Sequence, residues 1–293
     1  MNGFLIVDKP SGVTSFSMVS LVRRLTGVRR VGHAGTLDPL ASGVLPVAVG
    51  YATRFIEYMD DALKTYVASV RFGETTDTYD STGTVTSSGD ASGVTATAIE
   101  AALAEFVGEI VQTPPVFSAI KVAGKPLYQY AREGTDVTVA SRTVYVERAT
   151  LRSHEDGIAE IEVRCGKGTY IRSIAHDLGL RLGCGAHLAA LRRTSSGGFG
   201  VVDARAPEEL TAFASDGQLG EALLAVDRAV ERRAAAILGS ERSVDVACGR
   251  DIAFEPAKAA DLCRAYSAAG EFLGVLRPRG DGRWHPEKVV GTG

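Results

Sequence analysis

The sequence predicts a mixed α/β (α+β) protein that ends in a small β-rich module, and three observations carry that prediction. Short apolar or alternating runs at 3–8, 44–49, 64–72, 142–150 and 158–164 have the length and period of strands. Between them lie stretches with helical spacing of apolar residues, at 15–27, 96–107 and 174–182. Beyond residue 234 the texture changes to short runs (244–246, 265–267, 272–276) split by turns at Gly249, Gly270 and Gly280-Asp281-Gly282.

In chain order, the strand at 3–8 runs into a turn at Lys9-Pro10-Ser11-Gly12. Ser15 is the expected N-cap of a helix whose apolar face is Val19, Val22 and Leu25 and whose stop is Gly27. Arg23, Arg24, Arg29 and Arg30 cluster at its end, suited either to the negative helix terminus or to a phosphate. A buried strand at 44–49 and a helix at 52–59 follow, then a strand in which Tyr66, Ala68 and Val70 share one face. Residues 73–80 read as a solvated turn and 87–92 as a polar, mobile stretch. The runs at 142–150 and 158–164 form an antiparallel pair joined near Glu155-Asp156-Gly157. Pro207 opens another helix, and 223–231 closes the larger part. This divides the chain into 1–233 and 234–293.

The chain has 293 residues, 45% hydrophobic and 23% charged, within the ordinary range of a globular protein. No window approaches the roughly 18 consecutive apolar residues of a membrane-spanning helix, and the apolar run 4–7 is too short for a signal peptide core. We therefore expect a cytoplasmic protein with no membrane partner. The four cysteines form no Cys-x-x-Cys pair. Cys184-x-x-His187 is half of a zinc pattern without its second half, so no metal is expected. The net charge of −3 does not advertise a nucleic-acid binder, but its distribution does more. Residues 1–60 carry a net +2 and residues 161–205 a net +4, against −6 for 61–160 and −3 for 206–293. Folded together, the two positive segments would make a basic surface on an acidic protein.

Those two segments also hold the chemical motifs. Gly32-His33-Ala34-Gly35-Thr36-Leu37-Asp38-Pro39-Leu40-Ala41-Ser42-Gly43 sets one carboxylate among small residues. Its glycines permit sharp turns, and Pro39 pushes Asp38 away from helical geometry. Such a loop either caps its own backbone or holds a carboxylate in a fixed direction. The stretch resembles the catalytic loop of the TruB family of tRNA pseudouridine synthases, Gly-His-x-Gly-x-Leu-Asp-Pro-x-Ala-x-Gly, at every fixed position. Asp8-Lys9-Pro10-x-Gly-x-Thr-Ser resembles the family's first motif, and Lys167-Gly168-Thr169-Tyr170-Ile171-Arg172 and Leu191-Arg192-Arg193-Thr194 resemble two later ones. Thr113 to Lys121, Gly124-Lys125 and Leu127 to Gly134 resemble its thumb, an insertion at about 112–140 that closes over RNA.

The resemblance implies a pseudouridine synthase fold with a mixed, largely antiparallel central sheet flanked by helices and loops, plus a C-terminal barrel like a PUA domain. It implies an isomerase acting on the T-loop uridine of tRNA, position 55 by convention, with no cofactor. By position, Asp38 is the nucleophile. Tyr66 packs on the flipped base and takes its proton when the new bond forms, and Arg172 pairs with Asp38 and orients it. His33 touches the RNA where the base leaves the loop, Tyr170 and Leu191 line the base pocket, and Lys9 contacts or supports a phosphate. Taken singly, each has a plainer reading: a core aromatic for Tyr66, a structural imidazole for His33, a surface charge for Arg172.

The chemistry agrees with the motif set. Breaking a base–sugar bond and rejoining it through carbon needs a group that holds one fragment meanwhile, which a carboxylate does in covalent catalysis. A glycoside hydrolase uses two carboxylates to manage water; an isomerase needs one acid and an exclusion of water. Asp38 stands alone in its motif. The rival readings are a nucleoside or base hydrolase, with Asp77 or Asp80 as second acid, and an RNA chaperone with weak or absent activity. The expected partner is the T arm of tRNA, and the protein is expected to act as a monomer without an obligate protein partner.

Overall fold

A nine-stranded sheet runs through the larger part of the chain in the computed structural model. The structure describes residues 1–59, 63–118, 121–122, 124–133, 135, 137, 139–255 and 260–290. Strand β1 (Gly3–Lys9) leads to helix α1 (Ser15–Thr26), then β2 (Val31–His33) and β3 (Ser42–Val49). The helix expected at 52–59 is a 3-10 helix (Gly50–Met59), and β4 (Lys64–Phe72) follows. The α1 N-cap is Thr14, one residue earlier than expected: its hydroxyl accepts the Ser17 N–H, which frees Ser15 for another task.

Next come a small hairpin, β5 (Glu74–Thr76) with β6 (Val85–Ser88), helix α2 (Ala96–Ala104) and β7 (Gly108–Gln112). The thumb-like region holds β8 (Lys121–Val122), β9 (Lys125–Pro126) and α3 (Leu127–Arg132). Its residues 119, 120, 123, 134, 136 and 138 lie outside the described residues. The expected antiparallel pair is β10 (Arg142–Glu155) with β11 (Ile158–Cys165), turning through Asp156 and Gly157 at positive φ. Helix α4 (Ile171–Arg181), β12 (Ala186–Ser196), β13 (Phe199–Gly200) and α5 (Pro207–Ser215) complete this part.

The strand order is β1-β3-β12-β4-β11-β10-β7, with β2 added to β3 and β13 to β12. Only β3 and β12 run parallel; every other pairing in this sheet is antiparallel. Strand β12 lies inside the sheet, between β3 and β4, although two successive arginines hide its strand character in the sequence. One face of the sheet packs on α1, α2 and α4 through residues such as Val22, Ile99 and Ile174. The other face packs Phe4, Ile6 and Val44 against the 3-10 helix and the 226–230 turn.

The C-terminal strands β14 (Ala234–Leu238), β15 (Ile252–Ala253), β16 (Cys263–Ser267), β17 (Phe272–Pro278) and β18 (Arg283–Val289) form a second sheet, order β14-β16-β17-β18-β15. It is a curled half-barrel with its own core of Leu238, Val246 and Trp284. The run at 244–246 is part of helix α6 (Ser240–Ala247), not a strand; three alternating residues fit either period. This sheet docks on the first through Phe55 and Phe272, whose rings lie 5.6 Å apart, and through Lys288 and Glu57 at 2.9 Å.

Candidate active site

The 34–41 loop between β2 and β3 is tied down from three sides. Ser15 accepts the Leu37 N–H at 2.9 Å and donates to the Leu37 carbonyl at 3.0 Å. Lys9, wholly buried, places its ammonium among the carbonyls of Pro10, Val13 and Pro39. Arg193, also wholly buried, donates to the carbonyls of Val44, Gly35 and Thr36 at 2.8, 3.1 and 3.4 Å. Gly43 has φ +101 and passes the Arg193 backbone so closely that a Cβ would lie 2.2 Å from its carbonyl oxygen. These contacts spend buried cations on backbone carbonyls, so the loop is held by groups that stay satisfied only in this conformation.

Asp38 projects from that loop toward the first turn of α4. Arg172 Nη2 lies 2.8 Å from its Oδ2 and also donates to the Phe117 carbonyl at 3.0 Å. The other terminal nitrogen, Nη1, donates to the Thr78 carbonyl at 3.2 Å and lies 3.4 Å from Asp80 Oδ2. A cation in the first turn of a helix is opposed by the helix dipole, and two carboxylates offset that here. The turn itself is bracketed by Gln112, whose amide accepts the Tyr170 N–H and donates to the Tyr170 carbonyl. Ser173 adds a bond to the Thr113 carbonyl.

The Asp38–Arg172 pair forms a wall shared by two spaces. On one side is an open cleft of about 600 Å³, whose walls include Phe16, His33, Pro39, Thr82 and Phe117. On the other is a slot of about 90 Å³ lined by Tyr66, Tyr170, Leu191 and Thr169. Tyr66 faces Arg193 across the β4–β12 pairing, and burial pushes its phenol pKa up while that guanidinium opposes the rise. Tyr66 is therefore a neutral phenol at neutral pH. Tyr170 carries the Arg142 guanidinium 4.8 Å from its ring centre. His33 has a buried Nδ1 with no hydrogen-bond partner, and burial, aided by Arg193, lowers its pKa.

The structure thus brings Asp38, Arg172, Tyr66, Tyr170 and Leu191 to one slot and His33 to the adjoining cleft. It corrects three expectations. Lys9 does not reach solvent, so it anchors the loop instead of meeting a phosphate; burial lowers its pKa to about 8, and Asp38 partly offsets that. The 73–80 stretch is not simply a solvated turn: Asp77 stays exposed, but Asp80 is buried. Nor is Asp38 a solitary acid in a dry cleft: its side chain is 39% exposed, and it shares Arg172 with Asp80. Gln112 and Phe16 escaped sequence reasoning, which read Ser15 only as an N-cap and Asp80 only as a rival hydrolase's second acid. Phe16 alone carried a signal, an aromatic on the outer face of an amphipathic helix, and it is 66% exposed at the cleft. Among the described residues, no group of three or more His, Cys, Asp and Glu is placed to hold a metal ion.

Comparison with known proteins places this geometry. A model of the TruB family pseudouridylate synthase N-terminal domain matches residues 23–171, and one of the tRNA pseudouridylate synthase B C-terminal domain matches residues 172–231. A Dehalococcoides mccartyi protein named tRNA pseudouridine synthase B is 41% identical over 289 residues, covering 99% of this chain and 96% of that one. One from Chromobacterium violaceum is 41% identical over 293 residues, covering 99% and 95%. Among solved structures, a chain of a Cbf5-Nop10-Gar1 complex aligns with TM-score 0.74 and 30% identity, over 94% of this chain and 78% of that one. A chain of an H/ACA RNP bound to a substrate RNA containing 2'-deoxyuridine aligns with TM-score 0.75 and 26% identity, over 99% and 85%. The loop that carries Asp38, the helix turn that carries Arg172 and the strand that carries Tyr66 all fall within these matches: the chain belongs to the TruB family of pseudouridylate synthases.

Proposed function

We propose that this protein converts the T-loop uridine of tRNA, position 55 by convention, to pseudouridine. The observation that carries the proposal is the Asp38–Arg172 pair standing between an open cleft and a slot lined by Tyr66. The reaction breaks the bond from uracil nitrogen to C1′ and forms one from uracil carbon to C1′. The carbon loses a proton and the nitrogen gains one, so nothing is consumed. Asp38 acts as the nucleophile that holds one fragment while the base turns. Arg172 pairs with it and aims it through its planar fork. The base leaves its stack to enter the slot, where Tyr66 packs against it as a neutral phenol beside Leu191 and Tyr170.

The RNA itself closes the site. Asp38 is open on the cleft side, so water is excluded once the T arm lies over His33 and Phe16. The exposed Phe16 ring offers a stacking surface for a neighbouring base. On this reading 1–233 is the catalytic part, with its thumb-like insertion at about 112–140, and 234–293 is a PUA-like module for more distant RNA. The separate core of Leu238, Val246 and Trp284 supports that boundary. The protein works as a cytoplasmic monomer; no helix of the described residues is long and apolar enough to cross a membrane.

The hydrolase reading would need Asp80 to activate water. Its Oδ1 instead accepts the Thr82 N–H and the Thr78 and Thr82 hydroxyls, and its Oδ2 faces Arg172. The test is incubation with an unmodified tRNA transcript, followed by pseudouridine mapping and an assay for free uracil. One modified position in the T loop and no uracil release are expected; uracil release, or no pseudouridine, overturns the proposal.

A further inference from the structure

Two residues near the site have no assigned task. Tyr79 is one of only two non-glycine residues with positive φ among the described residues, at φ +63, a conformation that L side chains adopt rarely. Its ring stacks on His176 with centroids 3.8 Å apart and planes 10° apart. The His176 Nδ1 is buried without a hydrogen-bond partner, so no bond at that atom orients the ring.

The position of the stack is informative. Tyr79 sits between Thr78, whose carbonyl accepts from Arg172 Nη1, and Asp80, whose carboxylate faces the same nitrogen. His176 is four residues after Arg172 on α4, so the two side chains leave the same face of the helix one turn apart. Helix α4 therefore grips the 78–80 turn at two points: Arg172 holds the acceptors, and His176 holds the ring between them. The backbone on either side is tied to β12, through Leu188 N–H to the Tyr79 carbonyl at 3.0 Å and Ser81 N–H to the Leu188 carbonyl at 2.9 Å. A rare conformation kept in place by its surroundings, beside reacting groups, points to a positional task.

We infer that the Tyr79–His176 stack is a positioning clamp: it presses the 78–80 turn onto Arg172 and so fixes the nitrogen that Arg172 presents to Asp38. Neither ring lines the cleft or the slot. The inference rests on Asp38 being the nucleophile, and Asp38→Asn serves as the control for that reading.

The test uses the full-length protein with an unmodified tRNA transcript, measuring the single-turnover rate, the Kd for tRNA and the Tm of each variant. Tyr79→Gly is the sharpest variant, because glycine relieves the positive φ while the ring is lost, which keeps Tm near the wild-type value. We expect Tyr79→Gly and His176→Ala to lower the single-turnover rate about 10- to 100-fold, with tRNA Kd changed less than about threefold. His176→Phe, which restores a ring to stack, should recover most of that rate. Wild-type rates in Tyr79→Gly and His176→Ala overturn the clamp. So does a loss confined to Kd, which would make the rings RNA contacts, or failure of His176→Phe to improve on His176→Ala. Activity in Asp38→Asn overturns the underlying nucleophile assignment instead, so the two failures are told apart.

Discussion

The guanidinium of Arg172 lies 2.8 Å from the Asp38 carboxylate and spends its other terminal nitrogen on Asp80, so one cation joins a half-exposed acid to a buried one. Three hydrogen bonds already occupy Asp80 Oδ1, whereas Asp38 opens on the cleft. The proposed nucleophile assignment rests on this difference in surroundings.

Asp38→Asn should fold and bind tRNA, since Arg172 keeps Asp80 and two carbonyls as partners. Its isomerisation rate should fall more than about a thousandfold, ~4 kcal/mol of barrier. Pseudouridine formation under single-turnover conditions, with tRNA binding measured in parallel, checks both halves.

Arg172→Lys should keep one charge but lose the fork that reaches both acids. We expect the rate to drop by about a hundredfold with a modest loss of Tm. Arg172→Met should be worse for folding, costing ~3–5 kcal/mol by leaving Asp80 buried and unpaired. Denaturant unfolding of the two variants side by side tests this ranking.

Ser15→Ala removes both bonds to Leu37 and leaves a buried N–H unsatisfied, a cost of ~1–3 kcal/mol. Because Leu37 adjoins Asp38, the lost rate should appear in kcat more than in KM. A variant changed only in KM would show that the hydroxyl does not position the loop.

Phe16→Ala should weaken tRNA binding about 5- to 150-fold, the worth of one base stacked on an aromatic ring, while Phe16→Trp retains it. Tm should stay unchanged, since the ring is exposed. Fluorescence titration with labelled tRNA gives the comparison.

Burial lowers the pKa of His33 and of His176 below the ordinary 6.5, so the unfolded chain binds more protons than the folded one just below that pH. Their contribution to stability is therefore complete above about 6.5 and declines as pH falls through the window beneath it, levelling once the folded imidazoles are protonated. His33→Gln should flatten part of that decline in a series of Tm measurements across pH 5 to 7.

Much of the site was legible because its chemistry is local. Pro39, Gly35 and Gly43 mark a loop that cannot be a helix, and the period-2 pattern of 64–72 puts Tyr66 on the same face as Ala68 and Val70, where β4 has it. The strand β12 was not legible, since Arg192-Arg193 reads as surface. Only pairing with β3 and β4 gives Arg193 the three carbonyls that make its burial tolerable. Lys9 misled in a similar way: the resemblance implied a phosphate for it, and only the fold shows its ammonium already taken by backbone carbonyls.

The sequence by itself determined the interleaved α/β order, the family and the acid at its centre, because these depend on residue type and short-range spacing. The tertiary structure alone decided which cations are spent inside and which meet the acid. Arg193 and Lys9 went to backbone carbonyls, while Arg172 was shared between Asp38 and Asp80. A charge is tolerated in the interior only where distant segments bring it partners, and which segments meet is settled by packing over the whole sheet.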